Sequence, residues 1–403
     1  MSRTPLRLIV FSGINMFHLR IMTTRKVADR RMKQLSLLIK PASGNCNLRC
    51  RYCFYHDITN TRESGNFGIM SEEILENLVQ KALSASTDSV LFAFQGGEPT
   101  LAGLDFFEKA ISFEKKYNGK GIQVHNAIQT NGTLIDSQWA AFLAENKFLT
   151  GVSLDGPKDI HDLNRKDTHH SGSFNNVMRG IELLEKHKVE YNILTVVSKT
   201  VAQHIQKVYN FFKKNNFRFL QFIPCLDPLV ELPGKMNYSL SSKLYEDFLI
   251  RLFDLYYQSA IENNYISIRF FDNLVHMLMG YPPESCGMSG ICACQFVVEG
   301  NGNVYPCDFY CIDRYCMGNI KNLSIEELFY SDQAQNFIKE SFDVDLTCQN
   351  CSFYQICRGG CKRYREPFVL AKPGLNIYCE AYKSFYKQCL PRLQHMARIF
   401  SKS

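Results

Sequence analysis

The sequence predicts an α/β protein: a partial (β/α)6 barrel followed by a small, cysteine-rich α+β domain. Two observations carry this. Between residues 34 and 224, short apolar runs alternate with amphipathic stretches of helical period. That alternation implies right-handed crossovers and a parallel sheet. From residue 286 to residue 389 there are twelve cysteines, set among Gly-rich turns and apolar runs too short for a large core. A segment of that kind needs cross-links or metal to stabilise it.

The elements follow in order. Strands are expected over 34–40, 90–95, 123–129, 149–154, 190–197 and 218–223. Helices are expected over 72–83, 104–117, 137–146, 174–186 and 202–215. Six units are too few for a closed eight-stranded barrel. They suit a partial (β/α)6 barrel or an open doubly wound sheet. Residues 32–240 form this unit. Residues 241–285 form a helical bridge that holds one more strand, 266–271. Residues 286–403 form the second domain and end in a helix.

Charge is uneven. Residues 1–31 hold seven Lys/Arg and one Asp, so 39 basic and 38 acidic residues remain in the rest of the chain. The body is thus near neutral, with no basic patch for nucleic acid. The leader 1–31 is expected to be disordered or to reflect an upstream start, with Met32 opening the ordered sequence. No apolar run is long enough to span a membrane and no secretory signal stands out, so no membrane partner and a cytoplasmic location are expected. Sixteen cysteines in a reducing compartment point to metal rather than disulfides.

Chemistry is expected where the strands end, because parallel α/β folds build their sites there. After the first strand comes Cys46-x3-Cys50-x2-Cys53. Three thiolates can hold three irons of a [4Fe–4S] cube and leave the fourth iron open. A zinc site with His56 as fourth ligand is the alternative. After the second strand comes Gly96-Gly97-Glu98-Pro99, where glycines permit close approach and a carboxylate can accept from an ammonium. Ser153 ends the fourth strand and Arg165 follows in a loop; a hydroxyl and a guanidinium suit ribose and carboxylate. In the second domain, Cys348-x2-Cys351-x5-Cys357-x3-Cys361 precedes Cys379. A β-hairpin over 295–306, turning at Gly300-Asn301-Gly302, brings Cys292 near Cys307. Zinc ribbons are the alternative for these cysteines. His169 and His170 read as solvated loop residues, and Asp308 as either a base or a turn cap.

The CxxxCxxC run with Tyr52 before its last cysteine, and the GGEP loop one strand on, resemble the radical S-adenosylmethionine enzymes. The later cysteines resemble the SPASM-type twin-cluster domain of peptide-modifying members. The strings 37–43 (LLIKPAS), 94–100 (FQGGEPT) and 307–310 (CDFY) are similar to those of the anaerobic sulfatase-maturating enzymes, from about residue 33 to the C-terminus. The resemblance implies three [4Fe–4S] clusters and S-adenosylmethionine. Cys46, Cys50 and Cys53 would hold the radical cluster. Cys286, Cys292, Cys307 and Cys361 would hold the first auxiliary cluster, and Cys348, Cys351, Cys357 and Cys379 the second. Cofactor contacts would fall at Tyr52, Gly97, Glu98, Ser153, Arg165 and Leu226. Asp308 would be the catalytic proton acceptor, with Tyr55 near the substrate. Of the remaining Cys225, Cys294, Cys311, Cys316 and Cys389, most are expected to be buried thiols. The implied reaction oxidises a Cys or Ser of a sulfatase polypeptide to 3-oxoalanine. An electron donor such as a flavodoxin or ferredoxin would serve it. Rival readings are another peptide-modifying radical enzyme, such as a thioether-forming maturase, and a non-catalytic zinc-ribbon protein.

Overall fold

A computed structural model describes residues 32–229, 233–366 and 372–401. The leader lies outside the described residues. Six strands, β1 (Met32–Ile39), β2 (Ser86–Phe94), β3 (Gln123–Thr130), β4 (Leu149–Ser153), β5 (Tyr191–Val197) and β6 (Phe219–Pro224), pair in parallel in strict chain order. A doubly wound sheet would reverse its strand order at a switch point. None occurs here, so the sheet is the partial barrel. Leu35, Leu37 and Ile39 of β1 and Val90, Phe92 and Phe94 of β2 are buried at every second position. The helix Glu72–Ala85 covers them with Leu75, Leu78, Val79 and Ala82, and starts where Ser71 accepts from the Ile74 N–H.

Two expectations are corrected. The strand 266–271 shrinks to β7 (Ser267–Ile268), which runs directly into the helix Arg269–Leu278. Phe271, Leu274 and Val275 are all buried there, with the i, i+3, i+4 spacing of a helix face. The helix 202–215 is two pieces, Lys199–Gln203 and Ile205–Lys214, broken at His204.

The cysteine-rich part does not stand apart. Its hairpin, β8 (Val297–Val298) with β9 (Asn303–Tyr305), adds β8 to the free edge of β1 in parallel. With β10 (Gly318–Asn319), one ten-stranded sheet runs through the whole molecule. The register pairs Ile39 with Val298. The residues that follow, Lys40 and Glu299, therefore meet. The final helix Cys379–Phe400 packs on the helix Ser242–Ile261 and closes the far side.

Candidate active site

The cluster loop leaves β1 at residue 40 and is pinned from both sides. Arg49 and Arg51 N–H donate to the carbonyls of Lys166 and Asn164, at 2.6 and 3.0 Å. Cys46 Sγ accepts from the Leu48 N–H at 3.3 Å, and Asn131 Nδ2 stands 3.8 Å from it. Burial pushes Cys46 and Cys50 up to about 12, with Glu98 and then Cys53 adding to it at Cys46, and Cys53 and Cys46 adding to it at Cys50 against the pull of Arg165. All three thiols lie on one short loop, in which the Cys53 N–H donates to the Cys50 carbonyl at 3.2 Å. His56 does not join them: it is exposed, and its Nδ1 lies 2.9 Å from Asn60 Nδ2. The donor set is thus three thiols with no imidazole, which fits a cubane with one open iron better than a zinc tetrahedron. Among the described residues, no group of three or more His, Cys, Asp or Glu closes around a single ion.

The GGEP loop packs on this loop through its glycines. Gly96 and Gly97 have φ of 100° and 55°. A Cβ on Gly96 would meet Lys40 Cγ at 2.6 Å, and one on Gly97 would meet the Asn45 carbonyl oxygen at 2.2 Å. The glycines are needed for close approach of protein to protein, a reason the sequence reading did not include. Glu98 is turned inward. It accepts from Thr100 N (3.1 Å), Thr100 Oγ1 (2.7 Å), Thr130 Oγ1 (2.7 Å) and Asn131 N (2.7 Å). Burial still raises its pKa above the ordinary value. Its side chain braces the ends of β2 and β3, while Gly97 presents backbone to the loop.

Around the ends of β4 to β6 a second set gathers. Arg165 pairs with the buried Asp155 through Nε and Nη2, at 3.1 and 3.2 Å. Tyr52 donates to the same carboxylate, with the guanidinium 5.4 Å over its ring. Val196 N–H adds a bond at 3.0 Å. Asp155 is the member that the sequence reading left without a role, although it lay in the strand-end segment. Ser153 Oγ accepts from Gln129 Nε2 at 3.2 Å, and Leu226 is buried just beyond β6.

The third set spans the two parts of the chain. Asp308 Oδ2 accepts from Tyr55 Oη at 2.6 Å and from Gln95 Nε2 at 3.0 Å. Oδ1 takes no hydrogen bond among the described residues and faces Lys40 Nζ at 3.2 Å as an ion pair. The partners come from distant side chains rather than from the turn that Asp308 opens, so capping is not what this carboxylate does. Lys40 also lies 3.4 Å from Glu299, and donates to Cys311 Sγ at 3.3 Å. Burial opposes its charge, but Cys311, Asp308 and Glu299 outweigh burial and hold it protonated. Arg62 meets Glu299 at 2.7 Å. Two cations and two carboxylates thus balance in a buried group. Lys40, Gln95 and Glu299 had no assigned role in the sequence reading. The signal for Lys40 and Gln95 was position: each ends an apolar strand at the site end of the sheet.

The later cysteines form two sets. Cys307 is pushed well up by burial and then by Cys286, Cys361 and Cys292. Cys348, Cys351, Cys357 and Cys379 line one small pocket. Beside Cys286, a Cβ on Gly287 would stand 3.5 Å from Cys361 Cβ. Cys225, Cys294, Cys311 and Cys389 are buried; Cys316 is half-buried. His169 and His170 are exposed.

Family models agree with this division. Residues 41–212 match the radical SAM superfamily and residues 290–352 match an iron–sulfur cluster-binding domain. Fold and site define a radical SAM enzyme with an appended iron–sulfur domain. The chain is 51% identical over 370 residues to the cysteine-type anaerobic sulfatase-maturating enzyme of Clostridium novyi (strain NT), covering 92% of this chain and 99% of that one. It is 34% identical over 383 residues to the serine-type enzyme of Bacteroides thetaiotaomicron, covering 91% and 92%. A solved structure of anSMEcpe with AdoMet and the Cp18Cys peptide bound superposes with a TM-score of 0.88 at 50% identity, covering 91% of this chain and 99% of that one. This chain belongs to the anaerobic sulfatase-maturating enzymes.

Proposed function

We propose that this enzyme oxidises a cysteine of a sulfatase polypeptide to 3-oxoalanine, with S-adenosylmethionine and three [4Fe–4S] clusters as cofactors. The observation that carries the reading is the buried carboxylate of Asp308, held on Oδ2 by Tyr55 and Gln95 and facing Lys40 through Oδ1. Preference for cysteine is supported by the higher identity to cysteine-type than to serine-type relatives, 51% against 34%.

When bound, the cofactors supply a 5′-deoxyadenosyl radical that takes one hydrogen from the target Cβ, and a cluster that accepts one electron. The residues do the rest. Cys46, Cys50 and Cys53 would hold the radical cluster, with Tyr52, Gly97, Glu98, Ser153, Arg165 and Leu226 around S-adenosylmethionine. The remaining ligands would be Cys286, Cys292, Cys307 and Cys361 for the first auxiliary cluster, and Cys348, Cys351, Cys357 and Cys379 for the second. Asp308 would take the thiol proton. A free thiol has a pKa near ~8.5, so it is largely protonated at neutral pH and a base is needed. Lys40 would pair with Asp308 Oδ1, and Tyr55 and Gln95 would fix the direction of the carboxylate. The balance closes: the side chain loses a hydrogen atom, a proton and an electron to become a thioaldehyde, and water then replaces sulfur as hydrogen sulfide to leave the aldehyde. A flavodoxin or ferredoxin is the proposed electron donor. The cytoplasm is the proposed location; among the described residues no helix is long and apolar enough to cross a membrane. Anaerobic turnover of matched Cys and Ser sulfatase peptides, read by mass, tests the assignment.

A further inference from the structure

Arg365 lies four residues beyond Cys361 and is 2% exposed. Its Nη1 donates to the carbonyls of Ser341 and Asp343, at 3.3 and 3.2 Å. Its Nη2 donates to Gly290 and Ser341, both at 3.3 Å. All of these acceptors are neutral. Nε is buried and has no partner among the described residues. The neighbouring buried cation is treated differently. Lys362 sits 2.8 Å from Glu366 and 3.4 Å from Glu340, over the ring of Tyr310 at 4.2 Å. Lys362 is therefore compensated, and Arg365 carries a buried charge that no carboxylate among the described residues answers. Burying such a charge, with one donor left over, is costly unless something anionic completes the site.

The cysteine set assigned above to the first auxiliary cluster stands in the right place. Cys292 N–H donates to Ser341 Oγ at 2.8 Å, and the carbonyl of that same serine holds the guanidinium. Gly290, another acceptor of Arg365, is two residues before Cys292. One 3-10 turn, Lys362–Tyr364, joins Cys361 to Arg365. Burial raises the Cys361 thiol, and Arg365 is among the charges that pull it back.

We propose that Arg365 sets the reduction potential of the first auxiliary cluster, through its buried charge and an Nε–H donated to a cluster or cysteinyl sulfur. The proposal rests on Cys286, Cys292, Cys307 and Cys361 being the ligands. Cluster potentials respond to net charge and to hydrogen bonds on sulfur. Reduction adds one negative charge, so a fixed buried cation stabilises the reduced form and raises the potential. The substrate carbon, after losing its hydrogen atom and proton, sheds one electron. A raised potential favours delivery of that electron to this cluster.

The test uses the fully reconstituted chain. An EPR-monitored redox titration compares the wild type with Arg365→Gln and Arg365→Lys. Arg365→Gln should lower the reduced-to-oxidised ratio of one auxiliary cluster about tenfold at a fixed potential, which is ~59 mV for a one-electron couple. The other two clusters should hold their potentials, and Arg365→Lys should restore most of the shift. In wild-type enzyme labelled with 15N-arginine, the reduced auxiliary cluster should show a nitrogen hyperfine coupling. An unshifted potential in an Arg365→Gln enzyme of full iron content would overturn the proposal. Should that variant fail to assemble, an absent arginine coupling in the labelled wild type would overturn it instead. Iron stopping at about four per wild-type chain would sink the ligand assignment itself, and this proposal with it.

Discussion

Asp308 is placed by contacts more than two hundred residues away in sequence, from Tyr55 and Gln95, and its charge is matched by Lys40. Asp308→Asn keeps the size and the capacity to accept from Tyr55 and Gln95, but removes the carboxylate that takes the proton. Cleavage of S-adenosylmethionine should persist, while aldehyde formation falls by about 10²–10⁴-fold. Product mass spectrometry beside a 5′-deoxyadenosine assay measures both. Near-normal aldehyde with full iron content would remove Asp308 from the role of base. Elsewhere in the barrel, the buried carboxyl of Glu114 governs stability. Burial raises Glu114 to about 7, from an ordinary value of 4.5. Oε2 accepts from Asn126 at 3.0 Å and Oε1 has no partner among the described residues. The folded state therefore holds this proton longer than the unfolded chain does. Glu114's contribution is full below about pH 4.5 and is lost as pH rises to about 7. Glu114→Gln should leave stability nearly unchanged at pH 4.5 and raise it by roughly 2–3 kcal/mol at pH 8. Denaturation at the two values measures this; parallel pH profiles for variant and wild type would contradict it.

At the scale of elements, the cluster loop and the GGEP loop form one unit. Glu98 N–H donates to the Asn45 carbonyl at 2.7 Å, and Gly97 backs onto the same carbonyl. Gly97→Ala puts a methyl where the Asn45 oxygen lies, at a φ of 55°. One loop must move. The variant should lose about four of about twelve irons and all cofactor cleavage, while the auxiliary clusters remain. Iron analysis and cleavage assays decide it; full iron and cleavage would show that the loops tolerate separation. The strands were legible in the sequence because each is a short apolar run, with buried residues at period two in β1, β3 and β5, and their loops because Gly, Pro and Cys mark them. The helix Arg269–Leu278 was misread as strand because its aromatic start, Arg269-Phe270-Phe271, reads as β-former until the later turn is counted. The grouping of the later cysteines comes from resemblance alone; spacing leaves open whether Cys361 goes with Cys348, Cys351 and Cys357 or with the hairpin cysteines. Asp155 and Glu299 stayed hidden because pairing with Arg165 and Lys40 depends on how the strands line up in space, which no local pattern encodes.

Over the whole molecule, the sheet makes the site. β8 sits on β1 with Leu38 against Val297 and Ile39 against Val298. This register places Lys40 beside Glu299, and β9 then carries Cys307 and Asp308 back over the end of β1. A chain ending at residue 285 would expose the β1 edge and strip Lys40 of both Glu299 and Asp308. Loss of a buried pair's partner typically costs about 3–5 kcal/mol. Such a fragment should be markedly less stable than the full chain or aggregate, as solubility and unfolding would show; a fragment as stable as the full chain would mean that the halves fold independently. The central claim is that this assembled site oxidises a cysteine side chain to an aldehyde. The direct measurement is anaerobic incubation of the reconstituted enzyme with S-adenosylmethionine, a reductant and paired sulfatase peptides that differ only in Cys or Ser at the target. The account predicts 3-oxoalanine from the Cys peptide, with hydrogen sulfide released, at a higher rate than from the Ser peptide. A product that has lost two hydrogens but carries no aldehyde, or no product from either peptide despite cofactor cleavage, would contradict it.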